Sequence, residues 1–192
     1  MELELALALL MSLATSDYKQ FKSMVARLLE HVDNHQPFGT SLFNAIARVT
    51  ITVACESIAM RYGDDGRIYI FLRRRSDDDT AYPGEWHAPG SALRPGETYD
   101  DVFRRLRGEF GANVIKYEQI GLLNVPEEER GHFLTPVFLV KIDGDGRQDE
   151  CHGWFPMDDL PRPMVAHHEF RLFPMASKAF EEQEKKGGLV AS

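Results

Sequence analysis

The hydrophobic pattern of this chain passes from helical to strand period near residue 40, and that change limits the folds open to it. Before it, Tyr18, Phe21, Met24, Val25, Leu28, Leu29 and Val32 recur at three- and four-residue spacing, the mark of a helix with one apolar face. Ser16 stands where an N-cap is expected. Asn34-His-Gln-Pro-Phe-Gly39 then breaks the pattern. After it, Val49, Ile51, Val53 and Cys55 alternate with Thr50, Thr52, Ala54 and Glu56, the period of a strand with one buried face. The chain therefore divides into an N-terminal helical segment, residues 1–36, and a second segment, residues 37–192, that mixes strands and helices.

Within the second segment, Gly63-Asp-Asp-Gly66 is a turn, and Ile68–Leu72 completes a hairpin. A loop rich in proline and glycine runs through Pro83, Gly84, Pro89, Gly90, Pro95 and Gly96. Thr98 caps a helix that runs to about Phe110, with Asp101 completing a capping box and Gly111 ending it. Strands are predicted near Val114–Val125 and Phe133–Ile142, with Pro136 placing the latter at a sheet edge or on a bulge. Trp154-Phe-Pro-Met157 reads as a short strand or turn, and a last helix runs from Pro174 to Gly187-Gly188. The expected class is α/β in the broad sense (α+β), a mixed sheet sandwiched between helices with an N-terminal helical extension.

The chemistry is concentrated in residues 86–111, Trp86-His-Ala-Pro-Gly-Ser-Ala-Leu-Arg-Pro-Gly-Glu-Thr-Tyr-Asp-Asp-Val-Phe-Arg-Arg-Leu-Arg-Gly-Glu-Phe-Gly111. This stretch resembles the Nudix box, G-x5-E-x7-R-E-U-x-E-E-x-G-U, in which U is a bulky apolar residue. Arg73-Arg-Arg75, Trp86, Pro89-Gly90 and Trp154-Phe-Pro-Met-Asp-Asp-Leu-Pro161 resemble its flanks, so the likeness covers roughly residues 45–180. It implies a Nudix-type fold for residues 37–192. It also implies hydrolysis of a nucleoside-diphosphate-linked metabolite, with Mg2+ or Mn2+ held by glutamates of one helix face. Such hard cations take oxygen ligands, neutralise the diphosphate and acidify water, and positions three and four apart share a helix face.

This chain departs from the pattern. With Leu106, Glu109 and Gly111 in register, Arg104 takes the box arginine, while Arg105 and Gly108 stand where glutamates belong. The distance from Glu97 to Arg104 is then one residue short. Placing Ser91 at the box glycine keeps Glu97 in register and moves the deletion into the helix, and neither alignment restores the missing glutamates. Asp101 cannot substitute, because eight residues of helix separate it from Glu109 by about 12 Å, whereas ligand distances are about 2.0–2.6 Å. The expected catalytic set is Glu109, Glu97 and Glu150, with Glu109 and Glu97 as metal ligands. Glu127-Glu-Glu129 is a further acidic run that reads more simply as a solvated loop. Arg104, Arg105, Arg73, Arg75 and Gly90 are the expected ligand-binding residues. Asp101, Arg105 and Glu109 also have the spacing of a surface ion-pair ladder, and Arg105 alternatively supplies a guanidinium fork for phosphate without metal.

Two functions follow: a divergent diphosphate hydrolase, or a catalytically inactive Nudix fold that serves as a ligand-binding sensor or protein scaffold. The expected partner is a small nucleotide-type molecule. With a formal net charge of -8, neither nucleic acid nor an anionic membrane is an expected partner. The apolar start, Met1-Glu-Leu-Glu-Leu-Ala-Leu-Ala-Leu-Leu-Met11, lacks the positive charge of a signal peptide. Two cysteines make no disulfide framework, and a cytoplasmic setting is expected. The helical stripe of residues 1–36 reads as a core face or as the contact of a homodimer. Cys55, Trp86 and Phe155 read as core. His167-His168 and Cys151-His152 lack zinc-ligand spacing.

Overall fold

The computed structural model describes residues 2–34 and 36–187. The chain forms two compact units, Met1–Pro37 and Phe38–Ser192. The first holds helices α1 (Glu2–Ser16) and α2 (Tyr18–Leu29). Ser16 is the last residue of α1. The cap of α2 is Asp17, whose carboxylate accepts the backbone N–H of Gln20, because an anion at a helix start meets both an orphan donor and the helix dipole. No helix among the described residues is long and apolar enough to cross a membrane.

The second unit runs α3 (Gly39–Ala47), β1 (Ile51–Tyr62), β2 (Ile68–Arg74), β3 (Trp86–His87), β4 (Gly90–Ala92), α4 (Tyr99–Phe110), β5 (Val114–Glu128), β6 (Gly131–Ile142), β7 (His152–Pro156), a π-helical turn His168–Leu172 and α5 (Phe173–Lys185). The sheet order is β3-β2-β1-β6-β5, with β4 joined to β1 and β7 to β2. The β1–β6 pair is parallel and its neighbours are antiparallel, so the sheet is mixed. Alternation sends successive side chains to opposite faces. Cys55, Ala59, Phe71, Phe138 and Val140 meet Val102, Phe103, Leu106 and Phe110 of α4 on one side. Ile58, Ile70, Leu72, Val137 and Leu139 meet Leu172, Phe173, Ala176 and Phe180 on the other. The two helices sandwich the sheet as the sequence predicts.

Of the two settings expected for Pro136, an edge or a bulge, β6 has a ladder irregularity beside it. That strand lies between β1 and β5, not at an edge. The paired residues of β1 and β6 run Val53↔Leu134 and then Glu56↔Val137, so the ladder lapses where the proline cannot donate. The register with β5 also shifts nearby, between Gln119 and Gly121. Gly187 takes φ +95° just after α5, and Gly188 lies outside the described residues.

Phe138 is buried among Tyr99, Phe103 and Tyr117, with edge-on ring contacts at 4.9, 5.1 and 5.8 Å. Truncation leaves a cavity, so Phe138→Ala is expected to cost about 3–5 kcal/mol in urea unfolding. Val49→Ala, at a position 80% exposed, is expected to stay within about 0.5 kcal/mol.

Candidate functional site

The start of α4 organises the site. Thr98 accepts the backbone N–H of Asp101, and Asp101 accepts the backbone N–H of Thr98. This capping box ends the loop at Glu97 and fixes that residue just outside the helix. Arg105, two turns on, reaches back to it. Its Nε donates to Glu97 Oε1 at 2.7 Å and its Nη2 to Oε2 at 2.8 Å. Nη1 donates to Ser91 Oγ at 2.6 Å and Nη2 also to the Ala92 carbonyl at 2.9 Å. Glu97 Oε2 further accepts the Arg94 backbone N–H at 2.9 Å. The Arg105 fork holds the Glu97 carboxylate below its ordinary range. Helix, loop and β4 are thus tied by one ion pair whose side chains are only 26% and 17% exposed.

That pair settles the register and corrects several expectations. Glu97 and Arg105 have the E-x7-R spacing, so the placement of Ser91 at the box glycine is the one the contacts follow. Counted from Arg105 without a gap, the three glutamate positions of the pattern fall on Leu106, Glu109 and Phe110; with the deletion in the helix the last two fall on Gly108 and Glu109, and in either count Glu109 is the single carboxylate. Leu106 and Phe110 are buried against the sheet. Arg105 has no role as an open phosphate fork, because its donors are already spent within the protein. The surface ladder does not form either. Asp101 pairs with Arg104 at 2.7 Å, and Glu109 with Arg73 at 3.1 Å. Arg104 is not the pairing arginine of the box; its side chain is 73% exposed.

The metal implied by the resemblance can be tested against these donors. Both Glu97 oxygens are taken by Arg105 and Arg94. Glu109 has Arg73 beside it, a cation already in place, although the two groups are not aligned for a hydrogen bond and Glu109 Oε2 is buried without a hydrogen-bond partner. Glu150 lies exposed in the turn before β7 and makes no hydrogen bond or ion pair among the described residues. No group of three histidine, cysteine, aspartate or glutamate side chains among the described residues is placed to hold a metal ion. The residues present do not fit the metal centre of the resemblance, and Glu97 is unsuited as a ligand while Arg105 holds it.

Other residues close on Glu109 that the sequence did not single out. Glu56 of β1 faces Gly90 across the β1–β4 pair. A Cβ on Gly90 would fall within 2.3 Å of the Glu56 carboxylate, so the glycine makes room for this side chain. Burial raises the Glu56 pKa to about 8, with Arg75 opposing the shift and Glu109 and Glu128 adding to it. Its Oε2 is buried without a hydrogen-bond partner and stands 3.9 Å from His168 Nε2. His168 Nδ1 accepts the Ala88 backbone N–H at 3.3 Å, which assigns the ring proton to Nε2, facing Glu56. Burial, helped by neighbouring cationic groups, holds His168 and the adjacent His87 far below their ordinary values and so neutral. The signal in the sequence was a single charge, Glu56, inside the strand Val53–Ala59.

Arg75 is spent on Asp79, at 2.9 Å. Asp79 also takes Arg130 at 2.6 Å and the backbone N–H groups of Ala81 and Tyr82. Glu128, expected in a solvated loop, ends β5 with its side chain only 7% exposed, 3.6 Å from Arg130. On the far side of β4, a cleft of about 430 Å³ lies between α3, the start of β1 and the loop 93–97, with Phe43, Ile46, Ile51, Ala92, Leu93 and Glu97 among its walls. The three residues of β4 therefore connect the two features: Gly90 touches Glu56, Ser91 holds Arg105, and Ala92 lines the cleft.

A family model described as the NUDIX domain matches residues 57–175. The mouse (Mus musculus) 8-oxo-dGDP phosphatase NUDT18 is 26% identical over 161 residues, covering 79% of this chain and 46% of that protein. The chain thus spans about half the length of the curated relative it matches. Among solved structures, a MutT NUDIX hydrolase from Burkholderia pseudomallei superposes with a TM-score of 0.50 at 26% identity, covering 60% of this chain and 91% of that one. The NUDIX domain of Shewanella oneidensis NrtR, complexed with ADP ribose, superposes with a TM-score of 0.55 at 18% identity, covering 80% and 97%.

Removing one partner of a half-buried ion pair strands the other. Arg105→Ala is therefore expected to lower unfolding free energy by about 2–4 kcal/mol, with Arg105→Lys recovering only part because it lacks the fork. Denaturant unfolding of both variants checks this. Glu56 has its folded-state pKa raised from an ordinary value of 4.5 to about 8. Its contribution is fully present below pH 4.5 and is lost as pH rises through 8. Melting temperatures across that range are expected to decline less steeply in Glu56→Gln than in the parent chain.

Proposed function

Because the chain belongs to the NUDIX domain family, we propose that it is a ligand-binding NUDIX domain that takes a nucleoside-diphosphate-type molecule without metal-dependent hydrolysis. The observation that carries this reading is the Arg105–Glu97 pair. It engages one expected metal ligand, and Glu109 is the single carboxylate at the box's three glutamate positions. Arg73 stands beside Glu109. A guanidinium there supplies the positive charge that a diphosphate needs, and it does so permanently.

The ligand is read as lying along β4. The cleft of about 430 Å³ falls within the range of small-molecule sites and is walled mainly by apolar side chains, which suits a nucleoside. Arg73 and Glu109 lie beyond the Gly90 end of the strand and suit the charged end. Two strand residues advance about 7 Å, a length a diphosphate linkage can bridge. Gly90 serves here by giving space to Glu56, and Arg75 by holding the loop through Asp79.

A divergent hydrolase is the rival reading. In its favour, Glu56 and Glu109 each carry a buried oxygen without a hydrogen-bond partner, and Mg2+ is often held by one or two carboxylates together with ligand phosphates. The mouse relative, named a phosphatase, points the same way. Calorimetry with ADP-ribose in Mg2+ and in EDTA, beside product release from a panel of nucleoside diphosphate compounds, separates the two. The expected result is equal affinity with and without metal, no turnover, and a loss of about tenfold or more in Arg73→Ala, the worth of one charge-assisted contact. Metal-dependent turnover abolished by Glu109→Gln would establish the hydrolase instead.

A further inference from the structure

The first unit is short of a core. Among its described residues none is buried, although α1 is mostly leucine, alanine and methionine. Leu5, Leu7, Leu9 and Met11 are 64, 57, 59 and 65% exposed. At about 100° per residue, the Leu5/Leu9 stripe and the Leu7/Met11 stripe lie roughly 160° apart around the helix. One neighbouring helix cannot cover both. A helix apolar on all sides is normally enclosed, and isolated helices of this length are marginal in water.

We propose that this unit is the interface between two copies of the chain, with α1 of each copy packed against α2 of the other. Charge selects the second copy as the occupant. The charges of α1 are acidic only, Glu4 among them, whereas α2 carries Lys19, Lys22 and Arg27 and no acid. An α1 on a second copy's α2 is attractive in either direction, and two-fold symmetry makes the contact twice. Antiparallel neighbours also keep the two acidic ends of α1 apart. Size agrees with this. Tyr18, Leu28 and Leu29 of α2 are 61, 59 and 44% exposed. With one stripe of α1, at on the order of 100 Å² per residue, they give roughly 500 Å² per partner, the small end of specific interfaces. The arrangement is independent of what the NUDIX unit binds.

Light scattering on size-exclusion eluate of the full chain, over a concentration series, is the test. The expected mass is about twice the 21.8 kDa of one chain. Leu5→Arg with Leu9→Arg is expected to give monomer, with the main unfolding transition of the NUDIX unit unchanged. Lys19→Glu with Lys22→Glu is expected to weaken the dimer by about tenfold or more, and adding Glu4→Lys to recover part of that loss. A monomer at every concentration would overturn the proposal. So would a dimer that both variants leave intact, or one that the charge reversals do not weaken.

Discussion

The contact between Arg105 and Glu97 is the one on which the rest of the site depends. It joins the third turn of α4 to the loop that precedes the helix and, through Ser91 and Ala92, to β4. Charge-assisted, bidentate bonds are among the strongest a side chain makes, and here they are shielded from water on both partners. With this tie in place, the helix has one rotation about its axis. That rotation sends Val102, Phe103, Leu106 and Phe110 into the sheet and leaves Glu109 as the single carboxylate at the pattern's glutamate positions.

On the proposed reading a guanidinium stands in for the metal, and the physics of such an exchange is simple. A divalent ion needs several oxygens converging within a few ångströms. A guanidinium needs one or two and brings its own fixed charge. Arg73 beside Glu109 and Arg75 beside Asp79 keep positive charge at the end of β2. Glu56, buried and raised towards neutrality, avoids setting a second full negative charge against Glu109. The NUDIX fold and family membership are secure. Ligand binding in place of hydrolysis is the reading that the donor set supports.

Much of the frame was legible in the residues. Thr98, Asp101 and Gly111 gave both ends of α4 by local hydrogen-bonding rules, period-two alternation gave β1, and an apolar run gave β6. The register of α4 was not legible, because Arg104 and Arg105 are adjacent and identical. Only tertiary contacts distinguish them, and a one-residue shift turns a helix by about 100°. Pro136 left two settings open: a proline excludes a ladder bond, and the sheet accommodates it by a local irregularity rather than by an edge. Glu128 read as solvated, and Glu56 was not singled out, because charged residues are seldom buried. Their burial depends on Gly90, His168, Arg130 and Tyr82, which lie far away in sequence.

On the proposed reading α4 carries no divalent metal site. Titration of the protein with Mn2+, followed by the electron paramagnetic resonance signal of the unbound ion, measures this directly and without reference to any substrate. No saturable binding at micromolar Mn2+ is expected, and the same trace from Glu109→Gln. A stoichiometric site that Glu109→Gln removes would contradict it, and would mean that Glu109 sheds Arg73 to take a metal.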